Sequence, residues 1–225
     1  MAATSHGGVI VIMAKAPTPG RVKTRLTPAL SPRQAAILYR CFLEDTIARA
    51  KTIREAALVV AYSPATCRAT FEALCPGVAL LPQRGRGLGA RLAAVVGRLL
   101  REGRRPVIVI GGDTPGLPDR YLRKALRTLT AHRADLVLGP ARDGGYYLIG
   151  LTSPAPELFD GVPWSTKHVY TTTLERARRL GLRVASLPPW EDVDTPDALG
   201  RLAATLARAS GTIAPRTKRW LAAAS

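Results

Sequence analysis

The stretch "VIVIGGDTPGLP" (Val107–Pro118) joins a short apolar run to a loop that begins with two glycines and an aspartate. The run Val107–Ile110 contains only Val and Ile, which is typical of a strand buried on both faces of a sheet. Pro118-Asp119 then predicts the start of a helix. Because a buried strand followed by a helix is the unit of a parallel sheet, this stretch predicts an α/β fold with Asp113 at the carboxyl edge.

The same alternation of strand and helix patterns continues along the chain in both directions. Further strands are predicted at Val9–Met13, Ala56–Ala61, Val78–Leu81, Leu136–Gly139, Tyr146–Leu151 and Arg183–Leu187. Helices are predicted at Pro32–Lys51, Thr66–Leu74, Leu88–Arg101, Asp119–His132, Val169–Leu180 and Thr195–Ala209. We therefore expect an α/β fold with a single-domain, mostly parallel central sheet and helices on both faces. The domain is expected over residues 1–210, with a basic C-terminal tail at residues 211–225.

Composition limits the classes of protein to which the chain could belong. It has 225 residues, 47% of them apolar, and no apolar run long enough to span a bilayer. The three cysteines (Cys41, Cys67, Cys75) lack metal-ligand spacing, and no signal peptide is visible, so we expect reduced thiols in a cytoplasmic protein.

The net charge of +17 indicates affinity for polyanions or phosphorylated small molecules, unless it is only a consequence of an arginine-rich composition. Aromatic residues make up only 5% of the chain and do not alternate with basic ones, which argues against a nucleic-acid stacking surface.

The loop after the first strand, "AKAPTPGRVKTRL" (Ala14–Leu26), concentrates positive charge at the carboxyl edge of the predicted sheet. It carries Lys15, Arg21, Lys23 and Arg25 beside two prolines and a glycine. Cationic side chains and backbone N–H groups at such a turn can bind phosphate oxygens. The loop matches neither GxxxxGK[ST] nor GxGxxG, and the alternative interpretation is a solvated basic loop.

Three aspartates are candidate ligands of a magnesium ion. Asp113 follows the strand Val107–Ile110, and Asp192 and Asp194 stand two residues apart in "WEDVDTPDAL" (Trp190–Leu199), so that in an extended segment both face one side. Carboxylates at the carboxyl edge are suited to hold Mg²⁺ against nucleotide phosphates. The alternatives are a turn-capping role for Asp113 and a helix-capping role for Asp194.

Five motifs of the chain together resemble the nucleotide-diphospho-sugar transferase superfamily, which has the glycosyltransferase-A fold, a Rossmann-like architecture. They are AKAPTPGRVKTRL, GGDTPGLP, DGGYYLIGL (Asp143–Leu151), WST (Trp164–Thr166) and DVDT (Asp192–Thr195). The pattern resembles most a bacterial family of poorly characterised transferases, described as radical-SAM/selenodomain-associated. It is more distantly similar to the 2-phospho-lactate guanylyltransferases. The resemblance covers the chain except its tail.

The resemblance implies a role for each matched residue. Nucleotide-binding residues would be Lys15, Arg21, Lys23, Arg25, Gly87, Leu88 and Gly89, with Lys23, Arg25 and Asp113 catalytic. The metal, Mg²⁺ or Mn²⁺, would be held by Asp113, Asp192 and Asp194. Acceptor-binding residues would be Asp143, Gly144, Gly145, Tyr146, Trp164, Ser165 and Thr166, although Tyr146 could be a core residue and Trp164 a loop anchor.

The expected reaction is metal-dependent transfer of a nucleotidyl group from an NTP to a small phosphorylated or phosphonate acceptor. Glycosyl transfer from an NDP-sugar at the same metal site is the alternative, and a non-catalytic nucleotide- or nucleic-acid-binding protein is the further alternative. Sugar nucleotidyltransferases usually have a Leu-x-Gly-Gly-x-Gly-x-Arg loop, whereas this chain has Pro17 and Pro19 there and must rely on side-chain cations. The partners expected are a nucleotide and an anionic small molecule, with no membrane or nucleic acid, and formation of a homodimer is left open.

Overall fold

A seven-stranded sheet forms the centre of the molecule in the computed structural model, which describes residues 7–27, 29–209 and 213–224. Its strands are β1 (Gly8–Lys15), β2 (Ala56–Ser63), β3 (Ala79–Pro82), β4 (Val107–Gly111), β5 (Leu136–Pro140), β6 (Tyr146–Leu151) and β7 (Val184–Ser186). They lie in the order β3-β2-β1-β4-β6-β5-β7. Each of these strands overlaps a segment predicted as a strand from the sequence.

Only β6 runs against the other described strands of the sheet. It pairs antiparallel with both β4 and β5, while β1, β2, β3 and β4 pair parallel, as do β5 and β7. Residues 141–145 are too few for a crossover connection, so β5 and β6 must form a hairpin. As a result the β5–β6 turn lies at the same edge of the sheet as the carboxyl ends of β1 and β4.

Helices cover both faces of the sheet, as predicted. They are α1 (Pro32–Ala50), α2 (Arg68–Leu74), α3 (Gly87–Arg101), α4 (Asp119–Thr130), α5 (Val169–Arg179), α6 (Pro196–Arg208) and α7 (Pro215–Ala224). Ile10 and Ile12 of β1 face a core shared with α1, α2 and α4, whereas Val9 and Val11 face a core shared with α3 and α5. None of the described helices is long and apolar enough to cross a membrane.

The start of α1 follows from its local sequence. The Ser31 hydroxyl accepts a hydrogen bond from the Gln34 N–H at 3.3 Å, and the Gln34 side chain accepts one from the Ser31 N–H at 2.9 Å. This reciprocal capping box, with Pro32 in the first turn, fixes the first residue of the helix.

Most of the predicted tail forms helix α7, which packs on α1. Asp45 of α1 is buried and accepts hydrogen bonds from the N–H groups of Arg216 and Thr217, at 3.2 and 2.8 Å, and from the Thr217 hydroxyl at 2.7 Å. The sequence analysis did not predict this helix. The domain limits of 1–210 and 211–225 stay a prediction, and residues 1–6, 210–212 and 225 lie outside the described part of the chain.

Candidate active site at the carboxyl edge of the sheet

A cavity of about 560 Å³ lies where β1 and β4 end. Its walls come from the ends of these strands, the loop after β1, the first turn of α3 and the segment that leads into α6. Crevices outside the carboxyl ends of strands are the usual ligand sites of open α/β sheets.

Five cationic side chains line this cavity, against two carboxylates. The cations are Lys15, Arg21, Lys23, Arg25 and Arg91, and the carboxylates are Asp113 and Asp194. Gly87 and Leu88, at the first turn of α3, line it as well, so that the positive end of a helix dipole lies beside these cations. The resulting field favours a ligand with several negative charges.

Lys23 is the buried centre of the charged groups. Its ammonium donates to Asp113 Oδ2 at 3.0 Å and to Asp194 Oδ1 at 2.5 Å, and its side chain is only 4% exposed. Burial by itself lowers the pKa of this amine, but the two carboxylates outweigh it and hold the pKa above its usual value. Lys23 therefore stays charged. Its ion pairs connect the loop after β1 to Asp113, in the loop after β4, and to Asp194, in the segment before α6.

The backbone at Lys23 explains how the amine reaches these partners. Lys23 has a φ of 49°, in the left-handed region, and directly precedes a short 3-10 helix, Thr24–Leu26. This conformation is uncommon for a residue with a side chain and costs about 1 kcal/mol or more. The two ion pairs oppose that cost.

Asp192 is the third carboxylate of this region, and one of its two oxygens lacks a hydrogen-bond partner among the described residues. Its Oδ1 atom is buried and has no hydrogen-bond partner among the described residues. Burial, followed by the negative charges of Asp113 and then Asp194, raises the pKa of Asp192 well above its usual value, although Lys23 acts in the opposite direction. A buried acceptor without a partner is rare in native proteins and indicates a site for a donor or a cation.

Asp113, Asp192 and Asp194 are candidate ligands of a divalent cation. Carboxylate oxygens are the ligands that Mg²⁺ and Mn²⁺ prefer, and the free Oδ1 of Asp192 adds an available one. Among the described residues, however, no three His, Cys, Asp or Glu side chains are gathered in a metal-binding arrangement. The donors fit such an ion chemically, and the Lys23 ammonium is the cation that bridges Asp113 and Asp194 in this structure.

Asp194 does not cap helix α6. The cap is Thr195, whose hydroxyl accepts from the Ala198 N–H at 3.3 Å. Asp194 is thus free to pair with Lys23, and the helix-capping alternative for this residue does not describe the structure.

The structure separates the predicted residues into three groups. Lining the cavity are Lys15, Arg21, Lys23, Arg25, Gly87, Leu88, Asp113, Ser165 and Asp194. Gly89 of α3 and Tyr146 instead pack on Trp164. A Cβ at position 89 would lie 2.5 Å from Trp164 Nε1, and the ring centroids of Tyr146 and Trp164 are 6.1 Å apart in an edge-to-face contact. Asp143, Gly144, Gly145, Thr166 and Asp192 do not line this cavity.

The β5–β6 turn is held by a hydrogen bond of its own and by contacts with the start of α5 and the residues before it. Asp143 Oδ1 accepts from the Gly145 N–H at 2.9 Å, and the Gly144 carbonyl accepts from the Tyr170 N–H at 2.9 Å. Gly144 has a φ of 89°, and a Cβ there would collide with the backbone of Lys167. Only glycine fits position 144, which explains the first glycine of the Gly-Gly pair in the motif.

Among the cavity residues that were not predicted as site residues, three polar side chains make hydrogen bonds to other parts of the chain. Arg91 donates to Ser63 Oγ and to the Gly85 carbonyl, Tyr39 accepts from the Lys15 N–H at 3.0 Å, and Gln83 donates to the carbonyls of Ala14 and Ala61. A signal existed only for Arg91, which follows the predicted nucleotide-binding residues Gly87, Leu88 and Gly89 at the start of α3. Tyr39 lies inside α1 and Gln83 directly after β3, and neither belongs to one of the five motifs.

Comparisons with known proteins identify the family and the fold of the chain. The family model described as "Uncharacterized protein conserved in bacteria (DUF2064)" matches residues 46–166. The crystal structure of a "putative nucleotide-diphospho-sugar transferase" from Desulfovibrio desulfuricans G20 is 36% identical, with a TM-score of 0.89 over 96% of this chain and 94% of that one. Among the curated proteins, none matches.

More distant solved structures share the fold. The CMP:2-keto-3-deoxy-manno-octonic acid synthetase, complexed with CTP, is 16% identical with a TM-score of 0.59, over 89% of this chain and 98% of that one. Rv0371c from Mycobacterium tuberculosis H37Rv, in complex with manganese, is 15% identical with a TM-score of 0.53, over 87% and 97%. The predicted superfamily and fold are thus confirmed, and the solved relative from Desulfovibrio desulfuricans G20 carries a transferase name. The chain belongs to the DUF2064 family of bacterial proteins and has the fold of the nucleotide-diphospho-sugar transferases.

Proposed function

We propose that this protein is a transferase that binds an NTP in the cavity at the ends of β1 and β4 and transfers its nucleotidyl group to a small phosphorylated or phosphonate acceptor. The observation that carries the proposal is the excess of five cationic side chains over two carboxylates in a cavity of about 560 Å³. A triphosphate is the common metabolite whose charge matches such a lining.

The proposed reaction needs no protein nucleophile. An acceptor oxygen attacks the α-phosphorus of the NTP, the bond from that phosphorus to the bridging oxygen breaks, and pyrophosphate leaves. Arg21, Arg25 and Arg91 line the cavity and would neutralise the charge that grows on the departing pyrophosphate. Backbone N–H groups of the first turn of α3 would bind the phosphates from another side.

Asp113, Asp192 and Asp194 are the residues that would hold a divalent cation. Bound Mg²⁺ or Mn²⁺ would supply further positive charge at the phosphates and help to orient them. The unpartnered Oδ1 of Asp192 supports this assignment, as does the manganese complex of Rv0371c, a protein of the same fold.

The acceptor side would lie towards Ser165 and the turn at Asp143–Gly145. Ser165 lines the cavity, and Asp143 acts electrostatically on Asp192. We propose that these residues, with Tyr146, Trp164 and Thr166 supporting them, bind the acceptor. Glycosyl transfer from an NDP-sugar is the second candidate, because the solved relative that is 36% identical carries a nucleotide-diphospho-sugar transferase name.

Product analysis tests the proposal. The protein is incubated with each NTP, or with common NDP-sugars, in the presence of Mg²⁺ or Mn²⁺ and a set of anionic acceptors, and ³¹P NMR follows the products. We expect pyrophosphate and a new nucleotidyl ester or anhydride. Release of a nucleoside diphosphate from an NDP-sugar would support glycosyl transfer instead, and nucleotide binding without any turnover would support the non-catalytic alternative.

Two variants separate real turnover from a contaminating activity. Asp113→Asn removes one charge at the carboxyl edge and is expected to abolish product formation. Asp160→Asn removes the same charge at an exposed position that does not line the cavity and is the matched control. Equal activity in both variants would overturn the assignment of the site.

A further inference from the structure

A second, larger cavity of about 820 Å³ lies between the loop after β4 and helix α6, next to the first cavity. We propose that it binds an amphipathic organic anion, a molecule with an apolar aromatic or aliphatic body and a carboxylate, phosphate or sulfonate end. The inference concerns a different cavity from the proposed nucleotide site and does not rest on the proposed function.

Apolar side chains form the floor of this second cavity. Pro115, Trp190, Val193 and Leu202 line it, between the loop after β4 and helix α6. Trp190 is held by an edge-to-face contact with Tyr121, with ring centroids 5.9 Å apart. A preformed apolar surface of this size suits a ring system or a short aliphatic chain.

Two arginines at the edge of the second cavity form no ion pair among the described residues. Arg49 and Arg201 also line the cavity, but they are engaged by Asp119 at 2.7 Å and by Glu191 at 2.5 Å. Arg142 and Arg120 are exposed and have no ion pair among the described residues, although Arg120 stacks on Tyr121 at 5.2 Å. An anionic group at the end of an apolar ligand would complement these two side chains.

An unsatisfied hydroxyl points to a ligand independently of the charges. Thr114 lines the cavity and is 1% exposed, and its Oγ1 has no hydrogen-bond partner in the part of the chain that the structure describes. Buried hydroxyls are nearly always hydrogen-bonded, so this group is available to a polar atom of the occupant.

The two cavities are adjacent but separate. Asp113 and Asp194 line the first, their chain neighbours Thr114 and Val193 line the second, and no described residue lines both. The Val193 N–H approaches the Asp113 carbonyl at 3.5 Å, which closes the wall between them. A nucleotide in the first cavity would therefore not displace the occupant of the second.

The test is titration of the full-length protein with 8-anilino-1-naphthalenesulfonate, an aromatic sulfonate, followed by fluorescence and calorimetry. We expect one site per chain and no displacement by NTP. Arg142→Gln should weaken binding about tenfold, the range of one lost charge-assisted contact, while Arg179→Gln, an exposed arginine on α5, should leave it unchanged. Ala204→Trp places a large ring at the cavity wall on an exposed helix position and should abolish binding.

Thr114→Val gives a second, structural readout. The substitution removes the hydroxyl without changing the shape of the side chain, so it should weaken binding of the probe severalfold. Because the hydroxyl has no partner among the described residues, the urea midpoint of the variant should stay equal to that of the parent or rise. Unchanged probe binding in Arg142→Gln and Ala204→Trp, an equal loss in Arg179→Gln, or displacement of the probe by NTP would each overturn the proposal.

Discussion

At the scale of single residues, Lys23 decides how the charged groups of the site are arranged. A sequence can indicate that four cations follow a strand, but it cannot indicate which of them turns inwards. That choice depends on the left-handed backbone at Lys23 and on two carboxylates that lie 90 and 171 positions further along the chain. Among the described residues, Lys15, Arg21 and Arg25 form no ion pair, so their positive ends are available to a ligand in the cavity.

Replacing Lys23 should destabilise the protein. Lys23→Ala leaves Asp113 and Asp194 without their cation, and we expect the free energy of unfolding to fall by about 2 kcal/mol. This value is below that of a fully buried pair because the Asp194 side chain is 41% exposed and therefore screened by water. Urea denaturation measures the change, with Arg25→Ala as the control at an exposed position of the same loop. Equal midpoints for the two variants would contradict the structural role of Lys23.

Arg25 is predicted to act on the ligand rather than on the fold. If it binds a phosphate, Arg25→Ala should weaken NTP binding by about tenfold to a hundredfold, NDP binding less and nucleoside binding hardly at all. Arg25→Lys keeps the charge but loses the planar fork, so it should recover only part of the affinity. Calorimetric titrations at moderate salt check the order, and equal losses for all three ligands would contradict it.

At the scale of elements, the hairpin of β5 and β6 brings distant motifs to one edge. The sequence analysis predicted both strands, but not that β6 runs antiparallel next to β4. The number of residues in the turn contains that information, since five residues cannot cross over the sheet. The insertion of β6 between β4 and β5 follows from long-range packing and has no local signal.

Gly144 should be the position of this turn that least tolerates a side chain. Gly144→Ala adds a Cβ that meets the backbone of Lys167, which cannot move aside as the end of a side chain could, and the φ of 89° adds strain. We expect a loss of about 2 to 3 kcal/mol. Gly181→Ala, at a φ of 68° with open space around it, should cost only about 1 kcal/mol. Thermal unfolding of both variants makes the comparison, which fails if Gly181→Ala costs as much.

The ion pair between Asp135 and Arg183, beside the edge strand β7, should be lost in acid. Hydrogen bonds from the Arg183 side chain, and then from its backbone N–H, lower the pKa of Asp135 from 3.8 to about 2. A carboxylate whose pKa is lowered by folding stabilises the native state above its unfolded pKa. That stability should be lost as the pH falls from about 4 to about 2. Asp135→Asn should therefore lower the melting temperature at pH 6 but leave it close to the parent near pH 2, and a constant difference across this range would contradict the ion pair.

At the scale of the whole molecule, local signals were enough for most of the architecture. Each of the seven described strands overlaps a predicted one, because most of them are short apolar runs, and α1 carries a local start signal in Ser31 and Pro32. Two features were not predictable in this way. The orphaned oxygen of Asp192 depends on burial, and α7 is a short basic segment whose helix is stabilised by a distant residue.

That distant residue, Asp45, gives the last prediction. Asp45 is 3% exposed, and it accepts hydrogen bonds from two N–H groups and one hydroxyl at the start of α7, where an anion also interacts favourably with the helix dipole. Asp45→Asn replaces one acceptor oxygen by a donor that faces these donors, so we expect a loss of about 2 kcal/mol. Hydrogen exchange should show the amides of Arg216–Lys218 losing protection before those of the sheet. Glu72→Gln, which removes the charge of an exposed ion pair on α2, is the matched control and should change neither measurement. Full retention of α7 protection in Asp45→Asn would show that the apolar contact of Trp220 with the core around Phe42 is sufficient to hold the helix.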